Sequence, residues 1–210
     1  MGDWMTKLRK GHMHLMNIGV KYWRATRAAL SEAQRAACGY YLSHMDEFVP
    51  SGVGVFLYGD NGVGKSYLGA VMCKVAWGMY GYPSFCATAS ELKDAWVSDR
   101  PVYPEARQTV SERANDVRFL VIDDLGKEYR ASSGFAENRF GALIRSRVRD
   151  GKVTVITTNF SMKEFEGTYG RSTCELARES MHIINLVDVN HRSAEAFKLL
   201  RQVSKFQGVK

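Results

Sequence analysis

Three short stretches carry residues whose types and spacing suit work on a phosphate. Gly59-Asp60-Asn61-Gly62-Val63-Gly64-Lys65-Ser66 fits G-x-x-x-x-G-K-[ST] at every fixed position. Glycines let the backbone approach an anion closely, and successive N–H groups then point inward at it. A helix opening at this point directs its positive end at the same oxygens. Lys65 would neutralise the β- and γ-phosphates, and the Ser66 hydroxyl would ligate Mg2+. A loop of this kind is expected to hold a nucleoside triphosphate. Asp123-Asp124 follows the apolar run "RFLVI" directly. At the carboxyl edge of a parallel strand the pair would face the phosphate loop. Asp123 is the expected metal-side carboxylate, acting through water, and Asp124 the group that orients or deprotonates an attacking water. Asn159 ends "VTVITTN". An amide at that edge can hold the water and touch the γ-phosphate. An acidic turn and a helix cap are the plainer readings of these last two features, and Ser161 is the better cap candidate.

The elements that must position these residues are legible as alternating patterns. "VGVFLY" (53–58), "SFCA" (84–87), "VRFLVI" (117–122), "KVTVIT" (152–157) and "HIINLV" (182–187) read as strands, and the first and third are nearly continuous apolar runs, as expected of buried ones. Between them lie helical segments: one opened by the Ser31-x-x-Gln34 capping box and running to about Phe48, one from Gly64 to Tyr80, "ELKDAW" behind Thr88-x-x-Glu91, and "FAENRFGALIRSRVRD" stopped at Gly151. Ser161-x-x-Glu164 and Ser172-x-x-Glu175 read as two further caps, and "SAEAFKLLRQV" as a last helix. Residues 98–116 read as a loop with a short helix. Strands alternating with helices predict a parallel sheet with crossover helices.

The chain has 210 residues and suits one compact α/β domain. Its net charge of +7 favours an anionic partner, nucleic acid first. Residues 1–30 hold Lys7, Arg9, Lys10, Lys21, Arg24 and Arg27 against Asp3 alone. Trp4, Tyr22 and Trp23 lie among them, a mixture suited to stacking on unpaired bases. A second basic group, Arg139, Arg145, Arg147, Arg149 and Lys152, cannot all face one way on a helix; Arg145 and Arg149 share a face. It could bind DNA, line a subunit interface or solvate the helix. Cys38, Cys73, Cys86 and Cys174 form no C-x-x-C pair, which is expected of free thiols in a reducing, cytoplasmic setting. His12 and His14 lack further ligands nearby and do not make a metal site. No apolar run reaches the length of a membrane span, and no signal peptide is expected.

"YGDNGVGKS", "FLVIDDLGKE" and "VITTNFS", in this order, resemble the Walker A, Walker B and sensor 1 segments of the AAA+ ATPases, in the DnaC/IstB-like branch. The resemblance runs from Ile18, at "IGVKYWRAT", to Arg192. It implies a P-loop AAA+ domain over residues 18–210 behind a basic extension (1–17). It also implies a five-stranded parallel sheet of order 5-1-4-3-2, ATP with Mg2+, a family feature at Glu128, and ATP-dependent homo-oligomers. In this branch a neighbouring subunit is expected to supply an arginine from the helix after sensor 1, in a pattern like "ER-x-x-SRL". Here the segment reads "YGRSTCELARES". Arg171 matches the first arginine, Glu175 falls where the second would be, and Arg178 lies one turn on. Either Arg171 or Arg178 would supply the finger, or hydrolysis would be weak.

The resemblance implies an ATP-driven switch acting on DNA: a helicase loader of phage or mobile-element type, gripping single-stranded DNA and acting on a replicative helicase. Alternatives are an IstB-like transposition helper that prefers duplex DNA, a P-loop small-molecule kinase, and a non-hydrolysing nucleotide-binding adaptor. The kinase reading lacks an arginine-rich lid in the sequence.

Overall fold

The computed structural model describes residues 8–98, 108–126 and 134–186. Five strands form one parallel sheet: β1 (Gly54–Tyr58), β2 (Ser84–Thr88), β3 (Phe119–Leu125), β4 (Val153–Thr158) and β5 (Met181–Asn185). Their spatial order is β2-β3-β4-β1-β5, the expected 5-1-4-3-2 read from the other side. Side chains alternate across the sheet, so neighbouring strand residues enter two separate cores. Val55, Leu57, Phe119, Val121, Val153 and Val155 face α1 (Lys10–Leu15), α2 (Glu32–Ser43), α3 (Met45–Phe48) and α4 (Lys65–Gly78). Phe56, Leu120, Ile122 and Ile156 face α5 (Ala89–Ser98), α6 (Val110–Asp116), α7 (Phe135–Arg149), α8 (Met162–Tyr169) and α9 (Arg171–Ser180). Burial on both faces is why β1, β3 and β4 read as continuous apolar runs, whereas β5, at the sheet edge, is largely exposed.

Several boundaries differ from the sequence expectation. The helix expected to run to Phe48 breaks at His44, whose φ of −124° ends α2 and starts α3. The His44 ring stacks on Tyr40 at 4.1 Å, which favours that turn. Ser172 is not a cap. Gly170, at φ 83°, turns the chain out of α8 and α9 begins at Arg171, leaving Ser172 inside the helix. The capping boxes of Ser31 and Ser161 form as expected. Glu128, the helix expected over "SAEAFKLLRQV", Trp4 and Lys7 lie outside the described residues.

Residues 8–17, expected as part of an extension, join the fold. Met13 and Met16 are buried against α4 and its neighbours. The outer edge of β2 is closed by this segment: Cys86 N–H donates to Met16 O (2.8 Å) and Asn17 Nδ2 donates to Cys86 O (2.8 Å). The chain then crosses α4, where the buried Lys74 ammonium donates to the carbonyls of Tyr22, Trp23 and Ala25 at 2.7–2.9 Å. Burial pushes the Lys74 amine down to about 8. Trp23 donates its indole N–H to Ile18 O, so this ring is occupied in holding the segment.

Arg147 is fully buried at the opposite end of the sheet. Its guanidinium donates to the carbonyls of Ala114 (2.7 Å), Val117 (3.0 Å) and Val153 (2.5 Å) and to Thr154 Oγ1 (3.0 Å). One planar fork thus joins the end of α6 to the starts of β3 and β4. Of the second basic group, Arg147 is therefore structural, whereas Arg145 and Arg149 are exposed. Arg147→Met should leave several buried carbonyls without donors and lower stability by about 3 kcal/mol. Urea unfolding of the two proteins, compared by midpoint at equal slope, measures this.

Candidate functional site

The loop between β1 and α4 bends where its glycines allow it. Gly62 and Gly64 hold φ of 91° and 88°, values that side chains with a Cβ resist. Lys65 is buried, and its Nζ donates to the carbonyls of Gly59 and Asp60, both at 2.7 Å. Gln34, the partner residue in the α2 capping box, also reaches the loop, donating from Nε2 to Val63 O at 3.3 Å. α4 comes unusually near the sheet just behind the loop. A Cβ on Gly69 would lie 3.1 Å from Val121 Cγ1 and 3.3 Å from Thr157 Cγ2. This closeness brings the α4 N-terminus over the tips of β3 and β4.

At the β3 tip the ladder with β4 shifts register between Ile122 and Leu125. Asp124 takes φ of 58° there, a conformation costly for a residue other than glycine and characteristic of functional turns. Asp123 is 8% exposed and accepts a 2.5 Å hydrogen bond from Thr157 Oγ1. The same Thr157 oxygen accepts the Asp124 N–H at 3.0 Å. The Ser66 side chain faces the Asp123 carboxylate closely enough to favour its ionised form. Burial raises the Asp123 carboxyl above its usual range, while the Thr157 hydrogen bond, Ser66 and the Lys21 charge pull it back. Lys21, from the segment held by Lys74, thus contributes to the field at both acids.

Asn159 stands beyond the β4 tip. Its Nδ2 donates to Asn61 Oδ1 in the phosphate loop at 3.0 Å. Thr158 anchors the turn before it, donating to Leu125 O and accepting the Phe160 N–H. A cleft of about 310 Å³ opens beside these groups, lined by Gly59, Asp60, Asn159, Glu164, Asn185 and Leu186. The structure thus brings the loop, Ser66, Asp123, Asp124 and Asn159 to one edge of the sheet. It does not bring Arg171 or Arg178 into that hydrogen-bonded set. Both lie seven residues apart on the exposed stripe of α9, where Arg171 Nε donates to Glu175 Oε1 at 2.6 Å and Arg178 lies 4.0 Å from Glu166.

The donor set fits a triphosphate that brings its own hard cation. A hydroxyl and a carboxylate facing each other suit Mg2+, which binds through one or two carboxylates together with substrate phosphates. Among the described residues there is no cluster of three or more His, Cys, Asp or Glu that would form a self-sufficient metal site. Thr157 is the residue sequence reasoning missed, while Gln34 was read only as part of a capping box and Lys21 only as part of the basic N-terminal group. The only signal for Thr157 was its place just ahead of Asn159 in "VITTN".

No protein-family profile and no curated protein matches the sequence. Solved structures do match the fold. The DnaC helicase loader aligns at 20% identity and a TM-score of 0.67, over 80% of this chain and all of that one. DnaI aligns at 20% identity and a TM-score of 0.65, over 83% of this chain and 94% of that one. The replication initiator DnaA bound to AMPPCP and single-stranded DNA aligns at 17% identity and a TM-score of 0.59, over 86% of this chain and 54% of that one. Among the described residues no helix is long and apolar enough to cross a membrane. The expected fold is therefore present: the chain has the P-loop AAA+ fold shared by the DnaC loader and DnaA.

Proposed function

We propose that this chain is an ATP-hydrolysing helicase loader that binds ATP with Mg2+ and single-stranded DNA and acts on a replicative helicase. The observation that carries the nucleotide part is the meeting of Ser66, Thr157 and Asp123, which joins the phosphate loop to the acid pair and the β4 tip. The loader part rests on the likeness to DnaC and DnaI, and the single-stranded DNA part on the likeness to DnaA and the basic stretch of residues 1–30.

In this reading the loop N–H groups and Lys65 grip the phosphates. Ser66 and Asp123 would hold Mg2+, which when bound supplies neutralising charge to the phosphoryl oxygens. Asp124 takes the proton of the attacking water as the terminal P–O bond to ADP breaks and phosphate leaves. Asn159 orients that water or the γ-phosphoryl oxygens. Arg171 or Arg178, exposed on α9, would complete a neighbouring subunit's site, tying hydrolysis to ATP-dependent assembly. The Glu175 carboxylate on Arg171 makes Arg178 the freer of the two. The protein is expected to work in the cytoplasm, where a replicative helicase meets single-stranded DNA.

DNA-stimulated phosphate release tests the chemistry. Asp124→Asn should bring release near zero with ATP binding intact; equal rates would remove Asp124 from the mechanism. Lys65→Ala should lose nucleotide affinity altogether. Thr157→Val removes one hydroxyl that serves both acids, and should cost about 1–3 kcal/mol in urea unfolding along with most of the hydrolysis rate. Capture of a replicative helicase in the presence of ATP but not in its absence is the expected outcome for the partner, and no capture in either state would sink the loader reading.

A further inference from the structure

We infer that Asn61, at a variable position of the phosphate loop, is the positioning residue that aims the Asn159 amide, and through it lets the site tell a nucleoside triphosphate from a diphosphate. This rests on the ATP-hydrolysing reading above and deepens it. The two residues are 98 positions apart in the chain, yet Asn159 Nδ2 donates to Asn61 Oδ1 at 3.0 Å. Asn159 Oδ1 is sequestered from solvent and has no hydrogen-bond partner among the described residues. The bond to Asn61 is therefore the contact that fixes which way the amide faces. A carboxamide nitrogen carries two hydrogens. One goes to Asn61, and the other remains to meet an anionic oxygen.

Both ends of the bridge are anchored elsewhere. Asn61 sits between Asp60, whose carbonyl receives Lys65 Nζ, and Gly62 in its left-handed turn. Asn159 follows Thr158, which is bonded to the β3 tip. The bridge thus spans from the segment that would grip the inner phosphates to the strand tip beside the acid pair. A diphosphate is held by the loop N–H groups and Lys65 without needing Asn159. Only a third phosphoryl group extends to the amide, so the aim of that amide matters for triphosphate alone. A bridge that merely braced the loop would serve both nucleotides equally.

The test compares the protein with Asn61→Ala and Asn61→Gln, the latter keeping an amide acceptor at an exposed position. Fluorescent N-methylanthraniloyl ATP and ADP, each with Mg2+, report affinity; phosphate release reports turnover. Asn61→Ala is expected to bind ADP within about twofold of wild type, to bind ATP about fivefold more weakly, and to turn over about tenfold more slowly. Asn61→Gln should recover much of both losses. Equal losses for ATP and ADP, or an unchanged ATP-to-ADP ratio with unchanged turnover, overturn the inference and leave the ATPase reading standing. A wild-type protein that binds neither nucleotide overturns both.

Discussion

The Asp123 carboxylate is the point on which the structure turns. An anion taken out of water must be met by polar groups, and here they come from two distant segments: Thr157 on β4 donates to it, and Ser66 at the start of α4 faces it. Satisfying it forces the helix after the phosphate loop onto the tips of two neighbouring strands. Gly69 permits that approach, since even a methyl group would crowd Val121 and Thr157. The strained turn at Asp124 is held by the same threonine oxygen, so one hydroxyl sets the position of both acids. The left-handed backbone is tolerated because that hydrogen bond and the β3–β4 ladder over-determine it.

The two ends of the sheet are stabilised differently. At the end away from the site, Arg147 gathers peptide carbonyls rather than carboxylates, so the charge is met by fixed dipoles. Lys74 does the same for the N-terminal segment. At the functional end the Asp123 carboxylate has a hydroxyl partner in Thr157, which a metal ion and phosphates can join. Burial of Asp123 disfavours its ionised form, and a cation bound there would reverse that preference.

Much of this site was legible because its chemistry demands fixed residue types at fixed spacing. The loop from Gly59 to Ser66, the acids at the end of an apolar run, and Asn159 at the end of another all carry local signals. The sheet order came from resemblance and holds in the structure. What could not be read depends on contacts remote in sequence. Thr157 looks like any strand-favouring residue until the β3 tip lies beside it. Arg147 looks like a solvated helix charge, and only the nearness of α6, β3 and β4 makes it a buried fork. The break at His44 and the early start of α9 at Gly170 follow from local turns that outcompeted the longer helix and the serine cap. The Lys21 charge acts on the acids from a segment that Lys74 fastens across α4.

The closure of β2 by Met16 and Asn17 has a consequence for handling the protein. Outer strands with bare N–H and C=O groups are templates for edge-to-edge joining with other chains. Here the backbone groups of Cys86 that face outward are both engaged, one of them by the side chain of Asn17, whose backbone is left-handed at φ 53°. Trimming the polypeptide to begin at Ile18, where the family likeness starts, would strip this cover and invite aggregation in a molecule whose phosphate loop is otherwise intact.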